Sequence, residues 1–167
     1  MTANTSDLDA LLQAGAELEE TGTEQAVIDY YRPLVAQYPD DAQVQFRMGG
    51  AYDSAGYEAE AVVHYQRALE LGLSGDDLWR VAVQLGSSLR NVGDTEGAIA
   101  ILQKASVDYP DHVALRAFYA LALTSAGQSQ QAVVELLDVI LRHPTALEAY
   151  KRSLRAYTDE LRTTIKG

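Results

Sequence analysis

Apolar side chains recur along this chain at intervals of three and four residues, in blocks separated by short polar breaks. That period puts them on one stripe of a helix. The blocks repeat. Gly15, Gly49, Gly86 and Ala120 form one small-residue series and Gly22, Gly56, Gly93 and Gly127 a second, each spaced by 34, 37 and 34 residues. A third series, Ala26, Ala61, Ala98 and Ala132, opens segments that run small, β-branched, two others, then large apolar. Self-similarity at such a period marks a supersecondary unit that buries its apolar face by stacking on its neighbours.

The spacings predict a helical hairpin in each unit. A small residue on the first helix lets a neighbouring helix approach closely, and the glycine seven residues later ends that helix in the left-handed conformation open to it. The second helix stops near Tyr38-Pro39-Asp40, Tyr109-Pro110-Asp111 and His143-Pro144-Thr145. Proline cannot extend a helix, and Asp or Thr can cap the next one. Thr145 and Glu148 have the spacing of a capping box. The units span about 7–39, 41–73, 77–110 and 112–144. In the first, the turn reads as one residue shorter and Pro33 falls inside the second helix. The three-residue excess before the third unit, Gly-Leu-Ser-Gly-Asp-Asp from 72 to 77, predicts a protruding loop. Beyond Pro144, Leu147, Tyr150, Leu154, Tyr157 and Leu161 form one more stripe, with Lys151, Arg152, Arg155 and Arg162 on other faces. A cap over the open end, about 145–164, is the expected role of that helix; dimerisation is the alternative. The expected fold is an all-α solenoid of four hairpins and a capping helix, about nine helices in one domain.

This pattern resembles the tetratricopeptide repeat, in which Leu-Gly-x-x-Tyr, Ala-x-x-x-Phe, Ala and Pro recur over about 34 residues. The second unit carries it through Met48, Gly49, Tyr52, Gly56, Ala61, Tyr65 and Ala68. The third does so through Leu85, Gly86, Leu89, Gly93, Ala98, Leu102, Ala105 and Pro110, and the fourth through Tyr119, Ala120, Leu123, Gly127, Ala132, Leu136 and Pro144. The first keeps Gly15, Leu18, Gly22, Ala26, Tyr30 and Pro39. No unit has the family's tryptophan, whose slot holds Leu11, Gln45, Ala82 and Arg116 in turn. The junction before Trp79 is also similar to a small bacterial family of short, stand-alone members, some of them dimeric.

Charge narrows the partners. Of 24 acidic residues twelve fall in the first 60 positions, against two arginines, and the formal net charge of the chain is −11. Nucleic-acid binding is disfavoured, because phosphate contacts need a basic face. There is no apolar run long enough to span a bilayer and no basic-then-apolar leader at the start, so a soluble, cytoplasmic protein is expected. With no cysteine, thiolate chemistry and disulfides are absent. His64, His112 and His143 lack metal-ligand spacing, and the densest group, Asp108, Asp111 and His112, is explained by Asp111 capping the next helix. Asp40, Asp41, Asp76 and Asp77 read in the same way. The paired glycines make no phosphate loop. No acid-base or nucleophile-base pair stands out, so neither enzyme chemistry, a metal nor a cofactor is expected. Most of the tyrosines lie on the apolar stripes and read as packing residues.

What the resemblance implies is a binding surface. The first helix of each family unit lines a concave groove, and the family's ligand-contacting offsets fall here on Gln43, Phe46 and Asp53, on Arg80, Val83, Ser87, Arg90 and Asn91, and on Ala117 and Leu121. The groove would grade from acidic through basic to apolar. Phe46, Val83 and Ala117 stand where a carboxylate clamp needs cations, so chaperone-tail binding is not implied. Arg80, Arg90 and Asn91 suit an acidic side chain or a carboxylate. The expected partner is a protein or peptide; a homodimer built on the charge asymmetry is the alternative.

Overall fold

The computed structural model describes residues 5–142 together with 152, 153, 156 and 157. Eight α-helices and no strand occur among them: α1 (Thr5–Thr21), α2 (Glu24–Gln37), α3 (Ala42–Ser54), α4 (Glu58–Glu70), α5 (Asp77–Asn91), α6 (Thr95–Asp108), α7 (Val113–Ser125) and α8 (Ser129–Arg142). Consecutive helices pair as hairpins and each hairpin stacks on the next. The all-α solenoid expected from the repeat is what forms. The boundary at His143-Pro144-Thr145 and most of the expected capping helix lie outside the described residues.

Each of the first three hairpins closes on a glycine. A Cβ on Gly49 would lie 2.5 Å from Tyr65 Cδ1, and one on Gly86 2.5 Å from Leu102 Cγ. Tyr65 and Leu102 are completely buried in return. Gly15 makes the same contact, but its partner is Tyr31. This corrects the sequence register of the first unit. Val27 and Tyr31 are buried at 6% and 0% exposure, whereas Ala26 is exposed and Tyr30 half-buried. With Val27 in the small-residue position the turn has the same length as the others. Pro33 does not break α2, which runs on to Gln37.

The turns at Gly56, Gly93 and Gly127 are left-handed, with φ of 78°, 91° and 77°. The amide of the residue after each glycine reaches back five residues, as Tyr57 N does to Tyr52 O at 2.9 Å. That is the Schellman arrangement, which satisfies a carbonyl the helix end would leave open. Gly22 departs from the expectation. It has no positive φ, its amide donates to Leu18 O at 2.7 Å, and α1 ends one residue nearer to it than α3, α5 and α7 do to theirs.

Capping also differs from the expected pattern. Asp41 accepts from Gln43 N and Val44 N at 2.9 and 3.0 Å, leaving Asp40 free to pair with Arg67. Asp111 does not cap α7, because the N-cap position falls on His112 and no side chain bonds there. Asp76 makes no cap bond either. Instead Asp77 accepts from Gln43 at 2.9 Å and from Arg80 at 3.0 Å. The 72–77 excess does form a loop with exposed Gly72 and Gly75, pinned by Leu73 at 5% exposure.

Two apolar clusters result. One joins Leu8, Ile28, Tyr31 and Leu34 to Val44, Met48 and Ala51; the larger runs from Phe46 and Tyr65 through Leu85 and Leu102 to Leu115 and Leu123. Tyr52 packs against both. The missing tryptophans are replaced unit by unit. Ala82 is simply buried, Gln45 donates to Pro39 O and meets His64 at 2.8 and 2.7 Å, and Arg116 pairs with Glu135 at 2.7 Å.

Candidate functional site

The first helices of the last three hairpins, α3, α5 and α7, lie side by side, so positions seven or eight residues apart on α5 share one face with the ends of its neighbours. On that face Asp53, Val83, Ser87 and Asn91 line a single cavity of about 350 Å³ with Glu58, Gln84, Phe118, Ser153 and Tyr157. Four of the ten positions carried over from the repeat therefore converge. Arg90 joins them from above the ring of Tyr157, its guanidinium 4.7 Å from the ring centroid. The Tyr157 hydroxyl is 2.9 Å from Ser87 Oγ, and its ring meets Phe118 edge to face at 6.0 Å. A side chain from the expected capping segment is thus seated among the expected groove residues.

The remaining positions are dispersed. Arg80 and Arg90 stand at opposite ends of α5, about 15 Å apart along the axis at the α-helical rise. They cannot grip one carboxylate together. Arg80 pairs with Asp77 and lies over Trp79 at 5.3 Å, and Trp79 stacks on His112 with centroids 4.4 Å apart. Gln43 is held by Asp77. Phe46 and Ala117 are buried at 6% and 2% exposure, and Leu121 is a half-buried member of the core margin. The group Asp108, Asp111 and His112 has other partners: Asp108 binds Lys104 at 2.6 Å and His112 stacks on Trp79. Among the described residues no three His, Asp or Glu side chains are grouped to hold a metal ion.

The electrostatics centre on Asp53. Its carboxylate accepts from Tyr65 Oη and lies within reach of Ser88 Oγ, both at 3.2 Å. Burial, then repulsion from Glu58 and a hydrogen bond with it, push its pKa up to about 7 against the ordinary 3.8, and the Ser88 and Tyr65 hydrogen bonds only partly offset this. A second carboxyl group close by favours the neutral form of Asp53. Glu58 is fixed by Asn91, whose amide donates to Oε1 at 2.7 Å. Gln84 Oε1 and Arg90 Nε are buried without a hydrogen-bond partner among the described residues. Burial also raises the Tyr65 phenol, with Asp53 adding to the effect, and lowers His64.

Glu58, Gln84, Phe118 and Tyr157 were not among the sequence-derived candidates. Glu58 opens the second helix of its hairpin, outside the first-helix offsets, and Tyr157 belonged to a stripe read as a cap. The stripe itself was the available signal, since it marked Tyr157 as a residue that must pack on something.

Stacked antiparallel helical hairpins with a shared face of first helices define the class of α-solenoid repeat proteins. Residues 42–161 match the family described as Tetratrico peptide repeat, and the chain belongs to that family. It is 30% identical over 122 residues to the Vi polysaccharide export protein VexE of Salmonella typhi, covering 71% of this chain and 18% of that protein. The chain thus spans about a fifth of that relative's length. Among solved structures it superposes on MamA with a TM-score of 0.70 at 19% identity, covering 87% of this chain and 84% of that one. It superposes on YrrB, titled a TPR protein with an unusual peptide-binding site, at 0.69 and 17%, covering 90% and 76%. A Thermobaculum terrenum O-GlcNAc transferase matches at 0.73 and 22%, over 86% of this chain and 28% of that one. At these identities the likeness is one of fold. Among the described residues no helix is long and apolar enough to cross a membrane.

Proposed function

We infer that this chain is an interaction scaffold that binds a peptide or a partner protein on the face formed by α3, α5 and α7, and that it catalyses no reaction of its own. The observation that carries this reading is the seating of Tyr157 against Ser87, Arg90 and Phe118. A face that holds a polypeptide side chain by a hydrogen bond, a cation–π contact and an aromatic edge has the chemistry to hold another. The family supports the same role, and YrrB is titled for a peptide-binding site. The test is affinity purification from the source cell with the native chain and with Arg90→Glu plus Asn91→Arg. Loss of a specific partner, with helicity and melting unchanged, is the expected result. An identical set of partners from both proteins removes the face from consideration.

A second reading, homo-oligomerisation, is favoured by α8. Val133, Val134, Leu136 and Leu137 are 53%, 57%, 41% and 52% exposed, an apolar strip of the kind that marks association surfaces. Sedimentation at high protein concentration that finds only monomer ends it.

A further inference from the structure

We propose that the recess beneath Arg90 is a tyrosine-recognition subsite, that Tyr157 is its internal occupant, and that the partner enters as a basic peptide segment whose own tyrosine displaces Tyr157. This rests on the scaffold reading and names the chemistry of the peptide.

Three contacts define the subsite, and each reads a different property of a phenol. Ser87 Oγ, 2.9 Å from the hydroxyl, reads the polar tip. Arg90, 4.7 Å over the ring, reads the electron-rich face. Phe118, edge-on at 88° between planes, limits the width. Phenylalanine satisfies the last two and forfeits the first. Ser87 is only 8% exposed, so its hydroxyl finds its partner within the site.

Occupancy by Tyr157 leaves the site incomplete. The ring stays half-exposed, and about 350 Å³ of cavity remains beside it. One acceptor lining that cavity, Gln84 Oε1, is buried without a hydrogen-bond partner among the described residues. Buried acceptors in that state cost free energy that a donor recovers. Among the described residues that line the cavity, Asp53 and Glu58 are the charged ones, so the donor that fits is a lysine or arginine beside the tyrosine. The internal occupant has that composition, with Lys151, Arg152 and Arg155 close to Tyr157 in sequence. A phenol already seated in the subsite lowers the apparent affinity for any other.

The test uses the full chain and its Tyr157→Ala variant, with a fluorescein-labelled synthetic peptide covering residues 149–161 as the probe. An apparent affinity is reduced by the fraction of molecules whose site is already filled, so Tyr157→Ala should bind the probe about tenfold or more tightly than the unmodified chain. A probe carrying Tyr157→Ala should bind neither protein, and one carrying Tyr157→Phe should bind the variant chain more weakly than the native probe does. Arg90→Gln added to Tyr157→Ala should reverse the gain, and Tyr157→Phe in the full chain provides a variant that keeps the ring volume should Tyr157→Ala fold poorly. Equal affinity of the native probe for both chains, or no binding to the open variant, overturns the proposal. So does a dimer abolished by Tyr157→Ala in sedimentation, which would place the ring in a second copy. A cellular partner lost on Arg90→Glu plus Asn91→Arg but indifferent to Tyr157→Ala sinks this inference and leaves the scaffold reading standing.

Discussion

The hairpins α3/α4 and α5/α6 carry the same apolar pattern as α7/α8, yet they bury it differently. Tyr65 and Leu102 are 0% exposed; Leu136, at the equivalent position sixteen residues after the small residue, is 41% exposed. Val62 and Ile99 pack against the core, whereas Val133 is 53% exposed. The internal second helices have a following hairpin against them, α5 on α4 and α7 on α6; α8 has none among the described residues. A repeat sequence thus specifies an apolar stripe, and the neighbouring repeat determines how much of it leaves water.

The sharpest break between the two regions comes from truncating the equivalent leucines. Leu102→Ala should cost about 3 kcal/mol, the transfer term plus the cavity left in a sealed core. Leu136→Ala should cost under about 1 kcal/mol, since much of the side chain already meets water. Urea denaturation of both variants measures the contrast. Equal losses would show that α8 is covered in solution.

A smaller effect is expected at the hairpin contact itself. Gly86→Ala places a methyl 2.5 Å from Leu102 Cγ, and overpacking of that kind should cost about 2 kcal/mol. Combining it with Leu102→Ala should restore part of the loss, because the two changes share one space. Ala120→Gly in the last hairpin tests the opposite direction and should cost about 1.5 kcal/mol, through backbone entropy and the loss of a buried methyl. Thermal melts of the three variants and the pair decide whether the glycine is required by contact or merely tolerated.

The glycine contact also explains what was legible in the sequence. Fixed spacings of Gly49, Gly86 and their turn glycines gave the hairpins directly, because close approach and left-handed turns restrict the residue type. The first unit was misregistered since Ala26-Val27 and Tyr30-Tyr31 offer two adjacent solutions of the same composition. Only the fit of Tyr31 over Gly15 selects one. Both phenols then find partners, Tyr31 with Glu19 at 2.7 Å and Tyr30 with Leu11 O at 2.8 Å. On the candidate face, the pattern of offsets implied by the family resemblance names Asp53, Val83, Ser87 and Asn91, which line one cavity. It paired Arg80 with Arg90 without regard to their separation, and it left Phe46 and Ala117 on the face when the adjacent helices bury them. Glu58 and Tyr157 arrive from other elements, and no spacing within a first helix encodes that.

Asp53 gives a third contrast, since the fourth hairpin places Ser125 and Thr124, not a carboxylate, at the corresponding end of α7. The folded pKa of Asp53 is raised to about 7 from 3.8, so the native state holds the proton more tightly than the unfolded chain. The stability it contributes is fully present below about pH 4, falls as pH rises, and is lost above about pH 7. Asp53→Asn keeps an acceptor for Tyr65 and gains a donor for Glu58, and it should stabilise the chain by about 1 kcal/mol near pH 8. The advantage should shrink towards pH 5. Chemical denaturation at the two pH values reads the difference, and a gain of equal size at both would assign it to packing and not to the proton.

The smallest effect separates stability from association. Leu137 is 52% exposed at the position that Gln66 and Gln103 occupy in the two preceding second helices. Writing the internal residue into the terminal helix, Leu137→Gln, removes apolar surface that contributes little to this fold, so stability should change by less than about 0.5 kcal/mol. Any self-association through α8 should weaken at the same time, because an exposed apolar strip lowers its free energy chiefly by finding a partner. Sedimentation equilibrium of native and variant chains, run beside their denaturation curves, separates the two quantities. A large loss of stability with no change in mass would mean that Leu137 is packed within its own chain, and the apparent difference between the terminal and internal hairpins would then be one of occupant, not of exposure.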